Sequence, residues 1–226
     1  VRDEFRAKIL DYEAHPLINV IWLVKNVGLT EALNEGLRHV RTRYVFRADG
    51  DDINRQNRFE LQMSLLKNGF GLVSGAISEF DEIGNHVAVK RVPLEHQAIL
   101  RHCKRRNPFN HMAAAYELEA VLAVGGYPNL YLMEDWGLWV LMLENGVRSC
   151  NSQDIFVDAS GGARMYGRRG GLKNLRGEYG IQKLLVQHAR KSPFVAVFDF
   201  FGRVILMNMP ASWKAYVFLN FLRSEL

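Results

Sequence analysis

Cysteine is nearly absent: Cys103 and Cys150 are the only two in 226 residues, far apart and outside any C-x-x-C pattern. That scarcity argues against a disulfide framework and a structural zinc site, and it points to a reduced, cytosolic setting. Nor does any stretch reach the roughly 18 uninterrupted apolar residues that a membrane-spanning helix requires. The most apolar region, Pro193 to Leu222, is broken by Asp199, Arg203, Pro210 and Lys214. Internal repeats and low-complexity tracts are also missing. What remains, 48% hydrophobic with 23% charged residues, is the composition of an ordinary globular chain. Its length suits one sizeable α/β domain, or one domain with a small appendage.

The net charge of +5 is unevenly spread. Residues 160–226 carry 11 Lys and Arg against Glu178, Asp199 and Glu225, a balance of +8 that leaves −3 for the first 159 residues. A basic end calls for an anionic partner: phosphate groups, a membrane surface or nucleic acid. The aromatics of that end (Phe194, Phe198, Phe200, Phe201, Trp213, Tyr216, Phe218 and Phe221) cluster with aliphatics rather than alternating with basic residues. That pattern is one of core or interface, not of stacked nucleic-acid bases.

Hydrophobic periodicity predicts alternating elements. A helix spans Arg2–Glu13, and the branched run Leu17–Val24 reads as a strand buried on both sides. A helix from Thr30 to Val40, a strand at Arg43–Ala48, a helix at Asn57–Lys67 and strands at Gly71–Phe80 and Val87–Arg91 follow. This alternation implies a mostly parallel sheet with crossover helices. Further helices are expected at Leu94–His102, Leu118–Val124 and Glu134–Asn145, and strands at His111–Tyr116, Val147–Cys150 and Phe156–Asp158. After the loop Gly161–Gly171 the chain reads as helices, broken at Ser192-Pro193 and at Pro210.

Four segments carry chemistry. Arg47-Ala48-Asp49-Gly50-Asp51-Asp52 ends a hydrophobic strand in three carboxylates, and ligands of open α/β sheets bind beyond that end of the strands. Mutual repulsion calls for a cation, and an oxygen-seeking Mg²⁺ or Mn²⁺ shared with substrate phosphates fits. An acidic turn in which Asp52 caps the next element fits the same letters. Asn26 to Gly36 reads as a strand-to-helix loop, with Gly28 allowing a tight turn and Asn34 and Gly36 on the first turns of the helix. Met133-Glu134-Asp135-Trp136 opens a helix, where the macrodipole favours a carboxylate; Asp135 is either a cap or a general base. Finally, Arg164-Met165-Tyr166-Gly167-Arg168-Arg169-Gly170-Gly171 is a cationic loop, either solvated or suited to clamping a diphosphate.

In order, these segments resemble inverting glycosyltransferases of family 2, with a GT-A fold, and most of all the bacterial subgroup that builds exopolysaccharide and O-antigen chains. The likeness runs through Asn26, Gly28-Leu29, Ala32-Leu33-Asn34 and Gly36-Leu37, then Arg47 and Asp49-Gly50-Asp51-Asp52, then Arg58-Phe59 and Gln62. It continues through Asn107-Pro108-Phe109-Asn110-His111, Gly125-Gly126-Tyr127, Glu134-Asp135-Trp136, Leu138-Trp139 and Arg168-Arg169-Gly170-Gly171. The resemblance implies that Asp51 binds Mg²⁺ or Mn²⁺, with Asp49 on the ribose or on the metal through water. It implies that Asp135 is the general base, and that Asn34, His111, Glu134, Arg168 and Arg169 contact the substrates. A nucleotide-sugar donor (a UDP-sugar foremost), a saccharide or lipid-linked saccharide acceptor, and a cytoplasmic enzyme resting on the inner face of the membrane complete the expectation; no nucleic acid is involved.

The strands that would hold the nucleotide base are expected to be missing from the start of the chain. The division expected is a catalytic domain at 1–160, a basic diphosphate loop and helix at 161–191, and a helical extension at 192–226. That extension is expected to pack partly on the catalytic domain and to leave an apolar strip fringed by Arg203, Lys214 and Arg223, which either rests at an anionic lipid surface or completes the core or a dimer contact. A sugar-phosphate nucleotidyltransferase is the enzymatic alternative, and a nucleic-acid-binding or non-catalytic protein the other.

Overall fold

A computed structural model describes residues 3–81, 83–160, 172–188 and 190–209. In chain order these form α1 (Asp3–Glu13), α2 (Leu29–His39), β1 (Tyr44–Phe46), β2 (Ile53–Asn54), α3 (Arg58–Lys67), β3 (Leu72–Phe80) and β4 (His86–Lys90). Then come α4 (His96–Cys103), a 3-10 turn (His111–Ala113), β5 (Ala115–Glu117), α5 (Leu118–Leu122), α6 (Glu134–Glu144), β6 (Ser149–Ser160), α7 (Leu172–Gln187) and α8 (Pro193–Asn208).

The strands form one sheet in the order β1-β5-β3-β6-β2, with β4 off that path beside β3. The expected mostly parallel sheet is corrected to a mixed one. Among the described strands only β3 and β6 run parallel, while β1–β5, β2–β6, β3–β4 and β3–β5 are antiparallel. Connection length bears on two of these pairings. The short turn after Phe80, folded around the Asp81 carboxylate, returns the chain as a hairpin. The path from β3 to β6, which includes α4, α5 and α6, is long enough for the crossover that a parallel pair requires.

The Leu17–Val24 strand is a second correction. These residues form no ladder, and Leu17 and Val24 stand fully in solvent. A strand needs a neighbour for its backbone groups, and no described strand pairs with this segment, whatever its side-chain pattern. Two smaller shifts share a cause. His111–Tyr116 begins as a 3-10 turn because pairing with β1 starts only at Ala115. The two short strands near Val147 and Phe156 are one continuous β6, whose register slips against Gly75–Ile77 and leaves Gln153 and Asp154 outside.

The core lies where α6 meets the sheet, α4 and α7. Trp139, Leu138, Met142, Phe109, Tyr116, Ile99, Ile181 and Leu185 are all sealed from solvent there. Eight of the 11 residues of α6 are buried, so this helix is enclosed on all sides rather than amphipathic.

Arg58 reveals the curl of the sheet. Its guanidinium is fully buried, and its Nη2 donates to the Arg47 carbonyl at 2.6 Å and the Ala114 carbonyl at 3.3 Å, while Nη1 donates to the Asn54 side chain. One side chain therefore reaches the residue that follows β1 and the last residue of β2, the two opposite edges of the strand path. No helix among the described residues is long and apolar enough to cross a membrane.

Candidate active site

Residues 47–52 carry the chain from one edge of the sheet to the other and hold the acidic turn across its end. Arg47 is fixed by its backbone N–H on the Ala114 carbonyl at 2.9 Å and pairs through Nη2 with Asp49. Asp52 accepts from the Ser160 N–H at 2.9 Å, which ties the turn to the end of β6, yet its second oxygen is buried without a partner among the described residues. Burial pushes the Asp52 carboxyl above its ordinary range, and Asp49 and Asp51 add to that rise. Asp51 is exposed.

The Arg58 guanidinium braces the turn without neutralising it. It donates to Gln62 Oε1 at 2.9 Å, and Gln62 in turn donates to the Ala113 carbonyl at 2.8 Å. Burial, with Arg47 nearby, pulls its pKa down to about 10.

Could these residues hold a cation? Among the described residues no three His, Cys, Asp or Glu side chains form a closed cage. Mg²⁺ and Mn²⁺ do not need one, since one or two carboxylates plus substrate phosphates and water suffice. Three hard oxygen donors in one turn, one with an unpartnered oxygen, match that chemistry.

Beside the turn stands His111. Its Nε2 lies 3.0 Å from the Tyr127 hydroxyl, which lies 3.1 Å from the Tyr116 hydroxyl. Burial lowers the His111 pKa; Asp135 and Asp49 oppose the shift and Arg47 reinforces it, so these charged groups share one electrostatic neighbourhood. Tyr127 is itself held by Asn34, whose side-chain amide donates to the Tyr127 carbonyl at 2.9 Å and accepts from its N–H at 2.8 Å. Gly126 has a positive φ of 81°, and a Cβ there would lie 2.6 Å from Asn34 Oδ1, so a side chain would break this clamp.

Asp135 sits in the first turn of α6. One oxygen accepts from the Asn107 side chain at 2.6 Å and the other from the Trp136 N–H at 2.7 Å. The residue before this segment's N-cap, Leu132, has φ 59°, an uncommon conformation for a branched side chain and one that marks local strain. Glu134 is buried, and burial raises its carboxyl pKa.

Behind this segment lies the C-terminal hairpin. A Cβ at Gly177 of α7 would lie 2.0 Å from the Tyr131 carbonyl oxygen, so only glycine permits this approach. From α8, Arg203 stacks over the Trp136 ring at 5.0 Å and pairs with Glu178, Nε to Oε1 at 3.1 Å. The expectation that Arg203 fringes a lipid-facing strip is thus corrected: it turns inward because the fully buried Glu178 carboxylate requires a cation. The apolar strip itself is present on α8, as Phe194, Val197, Phe198, Phe201 and Ile205 are all exposed.

The structure thus gathers Asp49, His111 and Asp135, with Asn34 and Glu134 as neighbours in their support, and leaves Asp51 open on the acidic turn. Arg168, Arg169, Lys214 and Arg223 lie outside the described residues. Sequence reasoning gave no role to Arg58, Asn107 or the Tyr116–Tyr127 pair. Arg58 and Gln62 stood in the quoted motif, but nothing in the letters marks a cation buried without a carboxylate.

Comparison with known proteins supplies the family. Residues 1–121, over half the chain, match the model of "Glycosyl transferase family 2". The UDP-Gal:alpha-D-GlcNAc-diphosphoundecaprenol beta-1,3-galactosyltransferase of Escherichia coli is 35% identical over 231 residues, covering 99% of this chain and 82% of its own length. Amylovoran biosynthesis glycosyltransferase AmsE of Erwinia amylovora is 30% identical over 205 residues, covering 90% and 76%. Among solved structures, Staphylococcus aureus TarS 1–349 superposes with a TM-score of 0.63 at 13% identity, over 99% of this chain and 64% of that one. The Pyrobaculum calidifontis mannosyltransferase PcManGT, in complex with GDP-Man and Mn²⁺, gives 0.58 at 16% identity over the same shares. The chain therefore spans just under two thirds of those solved chains, and at such identities they speak for the fold alone. The curated relatives and the matched model decide against a nucleotidyltransferase: the chain belongs to glycosyltransferase family 2 and has its GT-A α/β fold.

Proposed function

We propose that this glycosyltransferase moves a hexose from a UDP-sugar to a hydroxyl of a lipid-linked saccharide, with inversion, during assembly of a bacterial surface polysaccharide. The observation that carries the reading is the Asp135 carboxylate, presented by a buried helix, steered by Asn107 and close enough to His111 to share its field with Asp49. The name of the Escherichia coli relative supports UDP-galactose as donor and a diphosphoundecaprenol-linked sugar as acceptor.

In this mechanism Asp135 takes the proton of the acceptor hydroxyl as its oxygen bonds to the anomeric carbon. The bond from that carbon to the diphosphate breaks on the opposite face, and UDP departs with the electron pair. Asp51 and Asp49 would hold Mg²⁺ or Mn²⁺, which would offset charge growing on the departing diphosphate. Arg168 and Arg169 clamp the same diphosphate. Asn34 and Glu134 act by shaping the walls around the donor.

We place the enzyme at the cytoplasmic face of the membrane, where the α8 strip rests among lipid headgroups. Vesicle flotation checks this placement, with stronger binding to anionic than to neutral vesicles expected. The donor reading is tested by thermal unfolding with UDP-galactose and other nucleotide-sugars, with and without Mn²⁺. Metal-dependent protection by a UDP-sugar is expected, and Asp51→Ala should abolish it; protection that survives in the variant would sink the metal assignment.

A further inference from the structure

Three polar groups in a row, the Tyr116 hydroxyl, the Tyr127 hydroxyl and His111 Nε2, lie at successive distances of 3.1 and 3.0 Å. Both tyrosines are buried, at 2% and 3% exposure, and burial raises both phenol pKa values, so each hydroxyl keeps its proton. A buried proton without an acceptor is costly, by about 1–3 kcal/mol. That penalty decides which way the row points.

If Nε2 carried the imidazole proton, it would donate to Tyr127, Tyr127 would donate to Tyr116, and the Tyr116 proton would need a further acceptor. None exists for it among the described residues. In the reverse direction Tyr116 donates to Tyr127, Tyr127 donates to a bare Nε2, and every hydroxyl proton is satisfied. The neutral ring must then carry its proton on Nδ1. Nδ1 has no partner among the described residues, and the ring is only part-buried, within the field of the Asp49 and Asp135 charges.

We infer that Tyr116 and Tyr127 are positioning residues that lock His111 as a neutral Nδ1–H tautomer, and that this N–H donates to an oxygen of the bound nucleotide-sugar. The inference rests on the donor reading above for its second half only. Two oxygens offer the same chemistry, a diphosphate oxygen and a hydroxyl of the transferred sugar. Asparagine places an amide N–H where Nδ1–H stands, and glutamine places one at Nε2, so the two substitutions separate the ring nitrogens.

The test uses the full chain labelled with ¹⁵N-histidine, at a pH above the imidazole range. The seven histidines give overlapping signals, and the pair lost in His111→Asn belongs to His111. That pair should show a protonated Nδ1 and a bare Nε2, and Tyr127→Phe should shift it toward Nε2–H. Binding of UDP and UDP-galactose is then measured. His111→Asn should stay within about threefold of wild type and His111→Gln should weaken binding by about tenfold or more, the equivalent of one lost hydrogen bond. Weakening of both ligands by His111→Gln assigns the diphosphate oxygen; weakening of UDP-galactose alone assigns the sugar hydroxyl. A wild-type Nε2–H signal overturns the lock. Equal loss in both variants overturns the contact, and a wild-type chain that binds neither ligand sinks the contact together with the donor reading.

Discussion

The acidic turn and the C-terminal hairpin both concentrate charge, and they handle it in opposite ways. Among the described residues of the hairpin, every buried charge meets its counterpart. Glu178 pairs with Arg203 and accepts from Gln182 at 2.8 Å, and Lys191 donates to Gln182 at 2.8 Å and to Asp199 at 2.9 Å. At the turn, the three carboxylates share one ion pair among the described residues, with Arg47, and the cation beneath them spends its donors on carbonyls and amides. A fully matched network has no capacity left for a ligand. The turn does, and this difference in satisfaction, rather than the number of charges, separates scaffold from site.

The contrast is most directly broken at Arg203. Arg203→Met strands the Glu178 carboxylate in the interior, and a loss of about 3–5 kcal/mol is expected. Scanning calorimetry should record a melting temperature lower by roughly 10 °C. Adding Glu178→Gln should recover much of it. An unchanged melting temperature in the single variant would mean that the hairpin charges are not structural and would erase the distinction.

Asp135→Asn probes the other side. Turnover should fall by about 10²-fold or more, since an amide cannot accept the proton, while the melting temperature and UDP-sugar binding stay near wild type. Near-normal turnover would reduce Asp135 to a helix cap. Arg58→Lys sits between the two regions in character. It loses the planar fork that joins both sheet edges, and a urea midpoint lower by the equivalent of about 1–3 kcal/mol is expected. Metal-dependent donor binding should weaken with it, because the turn loses its floor.

A smaller effect concerns acid. Burial lowers the pKa of His96, His102 and His111 below the ordinary 6.5. The unfolded chain then binds more protons as pH falls through 6.5 and below, so the stability these groups support is complete above that value and declines on acidification. Unfolding midpoints at pH 7.5 and pH 5.5, buffers chosen to bracket about 6.5, should show the loss.

How far the sequence revealed this molecule depended on whether a signal was local. α2, α3, β3 and α6 lie within one or two residues of their expected bounds, because periodicity and the flanking Gly28, Asn57 and Gly71 act inside a short window. The direction of a strand is not a local property, so a sheet read as parallel is mixed. The Leu17–Val24 run has the letters of a strand, but no described strand pairs with it. At the site, Asp49, His111 and Asp135 were legible as residues. Their supports were not: the bond from Asn107 to Asp135 spans 28 positions and the clamp of Asn34 on Tyr127 spans 93. Only folding brings such pairs together.

The Gly177 contact has a consequence for anyone recombining such enzymes. Because α7 touches the Tyr131 carbonyl through a position that tolerates no side chain, the hairpin and the Leu130–Met133 segment form one mechanical part. Chimeras cut after Ser160, which exchange the C-terminal portion with that of a relative to change acceptor, will carry a mismatched backing for Asp135. Cuts that transfer residues 125–209 as a block keep that interface whole, provided that Asn34 and Asn107, the partners of Tyr127 and Asp135, are retained in the recipient.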